Sequence, residues 1–180
     1  MTGIAVPPPC ADRAAPTARL FIALWPPPRV RQALAACRDA TAWPAGAAPT
    51  ASDKLHLTLH FIGSVAAGRV DAIAAALQVP VQGFDLQLDL VERWRGGLAV
   101  LRPRQPPPRL LQLHAELAGV LQRLGLPVEP RGFRPHVTLA RRAAAAAPVA
   151  PAAPLHWRAS GYALVQSGPD GRYRVLQRYR

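Results

Sequence analysis

The chain has 180 residues, two cysteines and a formal net charge of +12. This length suits one domain with a sizeable core, and since no run of 18 or more apolar residues occurs, the sequence predicts no membrane span. The charge lies almost wholly in residues 91–180, which favours a phosphate-rich partner such as RNA, although GC-rich coding would produce the same excess of arginine.

The amino-terminal segment and the cysteines bear on localisation. Residues 1–18 contain a triple proline and lack a continuous apolar stretch, so they are predicted to form a disordered tail rather than a secretory signal. Residues 19–180 are then the folded domain. Two cysteines predict no structural disulfide and place the protein in the cytoplasm. No cluster of cysteine, histidine and carboxylate residues predicts a metal site or a cofactor.

The first half of the domain alternates strands and helices. The apolar run RLFIALWPPP, which prolines end, predicts a buried strand, and RVRQALAACRDATAW has apolar residues at helical spacing. The stretch LHLTLHFIG predicts a second strand. Val70, Ile73, Ala74 and Leu77 then mark one face of a second helix.

The second half contains more strands than helices. The alternating run FDLQLDLVERW predicts one half-exposed strand that pairs with GGLAVLRP. A helix from about Arg109 to Leu124 and the strand FRPHVTLARR follow. Residues 143–154 are rich in alanine and proline and predict a loop, after which two strand-like runs surround GPDG. The predicted order, β-α-β-α-β-β-α-β-β-β, indicates an α+β fold with mainly antiparallel pairing.

The stretch LHLTLHFIG places polar residues at every second position of an apolar strand. Alternation predicts that the leucines and Phe61 face a core, and that His56, Thr58 and His60 share the other face. A single His-x-Thr sequence in a strand is more often structural than catalytic. His56 and Thr58 need a partner motif to suggest chemistry.

The partner motif lies 80 residues further along the chain. HLTL at His56–Leu59 is repeated as HVTL at His136–Leu139, in a second strand-like run. Two imidazoles across a cleft can act as acid and base, because the pKa of histidine, ~6.5, allows one to be neutral and the other protonated. Threonine hydroxyls can donate to the non-bridging oxygens of a phosphate. The duplicated motif therefore predicts opening of a phosphodiester without a metal.

The sequence resembles the two-histidine (2H) phosphoesterase superfamily, and within it the RNA 2′,3′-cyclic phosphodiesterases, also called 2′-5′ RNA ligases. The resemblance rests on RLFIALWPP, KLHLTLHFIG and FRPHVTLAR, which occur in this order, and covers about residues 19–180. It implies a bilobed fold with two mainly antiparallel sheets, helices outside, a central cleft and a pseudo-twofold axis. It also implies metal-independent hydrolysis of RNA-terminal 2′,3′-cyclic phosphate to a 2′-phosphate, with 2′-5′ RNA ligation as the reverse reaction.

The resemblance also implies roles for individual residues. His56 would be the proton donor to the leaving oxygen and His136 the proton acceptor that activates water, although the sequence does not fix which histidine is acid and which is base. Thr58, Thr138 and Arg141 would bind the phosphate.

Two further residues are candidates for substrate contact from their positions in the strands. Arg134 lies two residues before His136, and His60 two residues after Thr58. A solvated or structural role is the competing interpretation of Arg134. His60 is the weaker candidate, because the family does not reserve its position for histidine.

Two alternative functions remain open. One is a cyclic phosphodiesterase that acts on a small nucleotide, and the other is a non-catalytic RNA-binding module of the same fold. Retention of both histidines and both threonines favours an enzyme, because binding alone needs no acid–base pair. The expected partners are RNA ends or nucleotides with a 2′,3′-cyclic phosphate, and the chain is expected to be a monomer.

Overall fold

The structure is a computed structural model that describes residues 16–180. These residues form three helices, α1 (Pro28–Asp39), α2 (Val70–Ala76) and α3 (Pro108–Arg123). Ten strands accompany them: β1 (Thr17–Leu24), β2 (Ala48–Pro49), β3 (Leu57–Ala66), β4 (Phe84–Leu88), β5 (Leu90–Trp94), β6 (Leu98–Arg102), β7 (Val137–Arg141), β8 (Leu155–Ala159), β9 (Tyr162–Ser167) and β10 (Tyr173–Tyr179). None of the described helices is long and apolar enough to cross a membrane.

The α+β class with antiparallel sheets is confirmed. One sheet has the order β10-β9-β1-β3-β7-β6-β5, with β2 paired to β7, and the other contains β4 and β8. Every pairing is antiparallel. The two halves of the large sheet meet at β3 and β7, where a single pair of residues, Leu57 and Val137, is in register. A short junction of this kind leaves room for a cleft between the halves.

Strand β1 is buried on both faces, which explains its continuous apolar sequence. Leu20, Ile22 and Leu24 belong to the main core, which also contains the buried residues of α1 and α3. Phe21 and Ala23 lie in a smaller cluster on the opposite face. Because both faces are covered, the strand lacks the polar alternation that a half-exposed strand shows. It begins at Thr17, two residues before the predicted domain start, and residues 1–15 lie outside the described part.

The prediction of one long strand in FDLQLDLVERW is wrong. The run divides at Asp89 into β4 and β5, which belong to different sheets. The Asp89 carboxylate accepts a hydrogen bond from the backbone N–H of Arg104, at 3.0 Å, in the segment that leaves β6. Strand β4 pairs with β8, which was not among the predicted strands. Residues 143–154 contain no helix or strand, although Ala143 and Ala146 are buried.

Candidate active site

A cleft of about 650 Å³ lies at the junction of the two halves of the large sheet. The two His-x-Thr motifs lie at the starts of β3 and β7, with each histidine directly before its strand, and the residues in register there, Leu57 and Val137, are the central residues of these motifs. The motifs therefore lie side by side with opposite chain direction. The structure brings together all five residues predicted for catalysis and phosphate binding, which line this cleft: His56, Thr58, His136, Thr138 and Arg141.

A β-bulge interrupts β3 directly after the first motif. Thr58 is in register with Ala23 and His60 is in register with Ile22, so Leu59 has no partner on β1. A bulge inserts one residue and changes which face the following side chains occupy. The simple alternation that holds from His56 to Thr58 therefore fails beyond Leu59.

The bulge overturns two predictions. His60 is only 2% exposed and does not line the cleft, so its predicted contact with substrate is wrong. Its Nε2–H donates to the backbone carbonyl of His114 in α3, at 2.8 Å, and its ring stacks on that of His114. Phe61, which alternation places in the core, is 50% exposed and lines the cleft instead.

The second motif carries the same irregularity. Thr138 is in register with Val100 and Ala140 with Ala99, so Leu139 is the unpaired residue of β7. The bulge turns Arg141 to the face that Thr138 occupies, although strict alternation would separate them. Phe61 and Arg141 lie 80 residues apart, which is the spacing of the motifs, so Phe61 has the position in the first motif that Arg141 has in the second. This equivalence was the sequence signal that could have identified Phe61 as a cleft residue.

Both histidines are oriented by a carbonyl two residues earlier in the chain. The Nδ1–H of His56 donates to the Lys54 carbonyl at 2.6 Å, and that of His136 donates to the Arg134 carbonyl at 2.7 Å. A carbonyl only accepts, so Nδ1 carries the proton in each ring and Nε2 is left for chemistry. The Thr58 hydroxyl lies 2.9 Å from Nε2 of His56 and donates to it when the ring is neutral.

Aromatic rings surround His56 more completely than His136. The His56 ring lies 4.9 Å from Phe21, 5.6 Å from Tyr173 and 5.7 Å from Trp25, measured between ring centroids. The His136 ring contacts Trp94 at 4.5 Å. Enclosure by rings removes water from the imidazole and fixes its orientation.

Burial lowers the pKa values of both cleft histidines. Desolvation lowers the pKa of His56 to about 4, and the charges of His136 and Arg141 act in the same direction, against the hydrogen bond to Lys54. Desolvation also lowers the pKa of His136, against its hydrogen bond to the Arg134 carbonyl and with the charges of Arg134 and Arg141. Both imidazoles are therefore neutral at pH 7 in the unliganded cleft, whereas the sequence suggested one of each form.

Arg134 is held outside the cleft by protein groups. Its guanidinium carbon lies 4.1 Å from the centroid of the Trp94 ring, and one nitrogen lies 3.5 Å from a carboxylate oxygen of Glu92. Its side chain is not among those that line the cleft. These contacts support the structural interpretation, in which Arg134 covers the ring that packs on His136, and its contact with substrate stays a prediction.

The charge of the cleft favours an anion. Arg19 and Lys54, which the sequence did not single out, line it together with Arg141, and no Asp or Glu side chain of the described residues does. The Arg19 guanidinium lies 4.9 Å from the Phe61 ring, and the Lys54 ammonium lies 5.6 Å from the Tyr173 ring. Within residues 16–180, no group of three histidine, cysteine or carboxylate side chains is placed to hold a metal ion.

Comparison with known proteins agrees with this geometry. The family described as the 2′-5′ RNA ligase superfamily matches residues 26–171. The chain is 37% identical to the RNA 2′,3′-cyclic phosphodiesterase of Escherichia coli K12, over 74% of this chain and 77% of that protein. It is 33% identical to the protein of the same name from Thermus thermophilus, over 89% of each chain.

Solved structures show the same fold. E. coli LigT complexed with 3′-AMP superposes with a TM-score of 0.82 at 33% identity, over 91% of this chain and 97% of that one. TT0787 of Thermus thermophilus superposes with a TM-score of 0.72 at 31% identity, over 89% and 96% of the two chains.

Proposed function

The chain belongs to the 2′-5′ RNA ligase superfamily, and we propose that its cleft hydrolyses the 2′,3′-cyclic phosphate at an RNA end to a 2′-phosphate. The names of the E. coli and Thermus relatives support this activity. The observation that carries it is the pair of His-x-Thr motifs, side by side in one cleft that, in the described part of the chain, has three basic side chains and no acidic one. Such a site offers an acid, a base and hydrogen-bond donors to a single phosphate.

The proposed reaction needs two proton transfers. Nε2 of His136 accepts a proton from water while the water oxygen forms a bond to phosphorus. The bond between phosphorus and O3′ breaks, and His56 gives its proton to that leaving oxygen. The products are a 2′-phosphomonoester and a free 3′-hydroxyl. Thr58, Thr138 and Arg141 donate to the non-bridging oxygens and stabilise their charge in the transition state.

The donor acquires its proton together with the substrate. Both imidazoles are neutral near pH 7 in the empty cleft, because burial lowers their pKa values. A phosphodiester anion bound between them raises both pKa values again, since an opposite charge favours the protonated ring. The productive state, with one ring protonated and one neutral, then forms in the complex.

The assignment of donor and acceptor follows the family resemblance and stands as part of the proposal. In the unliganded cleft the pKa of His56, at about 4, favours a neutral ring there. The role of each histidine in the complex depends on which side of phosphorus the leaving oxygen occupies. Exchange of the two roles would leave the rest of the proposed chemistry unchanged.

Turnover of an RNA oligonucleotide with a terminal 2′,3′-cyclic phosphate, in the presence of a chelator, tests the proposal. We expect full activity and a 2′-phosphate product by phosphorus NMR. Loss of activity on chelation would contradict metal-independent hydrolysis, and a 3′-phosphate product would contradict the predicted bond cleavage.

The same assay separates the alternatives. Turnover of cyclic mononucleotides but not of oligonucleotides would indicate a small-nucleotide enzyme. Binding of the oligonucleotide without turnover would indicate an RNA-binding module. Formation of 2′-5′ linked product from a 5′-hydroxyl RNA would reveal the reverse ligation. Cytoplasmic location and a monomeric state stay predictions, which cell fractionation and gel filtration check.

A further inference from the structure

A second basic groove, of about 510 Å³, lies on the other side of Trp25 from the catalytic cleft. Four arginines line it, namely Arg31, Arg158, Arg178 and Arg180, whereas no Asp or Glu side chain from residues 16–180 does. We call it the arginine groove. It combines concentrated positive charge with the half-buried indole of Trp25, and basic and aromatic groups together are what single-stranded nucleic acid binds.

The arginine groove is connected to the catalytic cleft through one aromatic ring. The Trp25 indole stacks on His56, with 5.7 Å between ring centroids and 19° between ring planes. The Arg31 guanidinium carbon lies 5.5 Å from the centroid of the same indole. A strand whose terminal phosphate reaches His56 therefore needs to pass only Trp25 to reach the first arginine.

The charges of the groove are largely uncompensated. Arg158 pairs with Asp85 at 2.8 Å, but the other three arginines have no ion pair within the described residues 16–180. The Nε atom of Arg31 is also buried without a hydrogen-bond partner in that part of the chain. Three guanidinium groups without an ion pair among these residues favour an anionic ligand.

A register shift in β10 turns Arg178 toward the cleft side of the sheet. Val175 is in register with Val165 and Arg178 with Ala163, with a shift between them. Val165 and Ala163 both belong to the cluster that contains Phe21, on the cleft face. Cross-strand partners share a face, so Arg178 follows Val175 onto that face, although the two residues are three positions apart.

We propose that the arginine groove binds the phosphate backbone of the RNA strand that leads into the cleft. This inference rests on the proposed function, because it assigns the groove to nucleotides upstream of the cyclic end. RNA is preferred over an acidic protein segment as the occupant because the groove adjoins the site for the terminal phosphate. Arginine contacts to phosphate read no base, so the added affinity is independent of sequence.

Comparison of a 2′,3′-cyclic mononucleotide with oligonucleotides that end in the same group tests the inference. We expect kcat/KM to rise with strand length through a lower KM, and to fall more steeply with salt for the longer substrates. The variant Arg178→Glu should lower the ratio of oligonucleotide to mononucleotide kcat/KM by about threefold. It should also reduce the salt slope for the oligonucleotide by about 0.7 for each phosphate that the groove no longer neutralises.

Arg174→Glu is the matched control. Arg174 is exposed on the same strand, but it is in register with Gln166, whose partner on β1 is the core residue Leu20, so it lies on the opposite face. The variant Arg174→Glu changes the charge by the same amount as Arg178→Glu. We expect its ratio of oligonucleotide to mononucleotide kcat/KM to stay as in the wild type. An equal fall in this variant would show a general effect of net charge and overturn the assignment.

Failure of this inference is distinguishable from failure of the proposed function. If the mononucleotide and the oligonucleotides of every length were turned over with the same kcat/KM, the phosphodiesterase proposal would stay intact. The arginine groove would then have no part in RNA binding. Absence of turnover for every substrate would contradict the proposed function. In that case, direct binding of an unreactive oligonucleotide, measured by fluorescence anisotropy with the same variants, would still decide whether the groove holds RNA.

Discussion

Each half of the cleft has a histidine in contact with a tryptophan that also contacts an arginine, but the charges around the two differ. His56 stacks on Trp25, whose ring lies 5.5 Å from the Arg31 guanidinium; His136 makes a tilted contact with Trp94, whose ring lies 4.1 Å from the Arg134 guanidinium. The arrangement is not visible as a sequence repeat, because the tryptophans precede their histidines by different distances. Duplication of the motif is thus accompanied by a tertiary similarity that other parts of the chain supply.

The difference between the halves lies in one carboxylate. Glu92 accepts hydrogen bonds from Arg102 and from the Trp94 indole, and it pairs with Arg134. Arg31 has no such partner within the described residues. Glu92 therefore holds the arginines and the indole of the half around His136 by internal bonds, whereas Arg31 in the half around His56 stays available to a ligand. This difference suggests that rigidity is provided by one half and additional anion binding by the other.

Removal of either imidazole should have the largest effect. His56→Ala and His136→Ala should each lower kcat by about 10²–10⁴-fold, since each removes one proton transfer. Rates on the cyclic phosphate, with circular dichroism to verify folding, measure this loss. Wild-type rates in both variants would contradict the acid–base pair.

A substrate with a different leaving group distinguishes the roles of His56 and His136, one in each half of the cleft. A nitrophenyl phosphodiester releases an anion that needs no proton, so the variant without the donor should lose less activity on it than the variant without the base. Better retention by His56→Ala agrees with the roles proposed above. Better retention by His136→Ala would exchange them.

The pH dependence should show that both halves desolvate their histidines. In the free enzyme the singly protonated pair becomes scarcer above the higher of the two pKa values, and both lie below the ordinary 6.5. We therefore expect kcat/KM to peak below pH 6.5 and to fall about tenfold per pH unit above the higher pKa. The peak of kcat should lie at higher pH, because bound phosphate raises both pKa values. A kcat/KM optimum at pH 8 would be incompatible with this desolvation.

The smallest effect is expected on the free energy of unfolding, when the carboxylate of Glu92 is replaced. Glu92→Gln should lower the free energy of unfolding by about 1–2 kcal/mol, because charged hydrogen bonds to Arg102 and Trp94 become weaker. Arg31→Gln, the matched change in the other half, breaks no ion pair within the described residues and should change it by less than about 0.5 kcal/mol. Urea titrations measure both values, and equal losses would contradict the comparison.

Acid should remove the difference between wild type and Glu92→Gln. The hydrogen bond from Arg102 holds the pKa of Glu92 at about 2, below its ordinary 4.5. The carboxylate therefore contributes its stability above pH 4.5, and this contribution is lost as pH falls toward 2. Urea titrations repeated across this range follow the loss.

Short-range patterns predicted much of the secondary structure. The helix predicted from about Arg109 to Leu124 is α3 (Pro108–Arg123), because its apolar residues recur at helical spacing over four turns. The prediction of one strand for the run FDLQLDLVERW was wrong, because its local pattern does not show where the strand divides. Its alternation continues through Asp89, and the run is divided only because its first half pairs with the distant strand β8, while its second half pairs with the neighbouring β6.

Sequence by itself predicted the chemistry that we propose for this protein. Histidine and threonine two residues apart in a strand must share a face, and repetition after 80 residues identified both halves of the site. Only the tertiary structure decided what surrounds them. The bulges at Leu59 and Leu139 bury His60 and turn Phe61 and Arg141 into the cleft. A bulge arises where two paired strands differ in residue count, and that depends on the partner strand, which local periodicity does not specify.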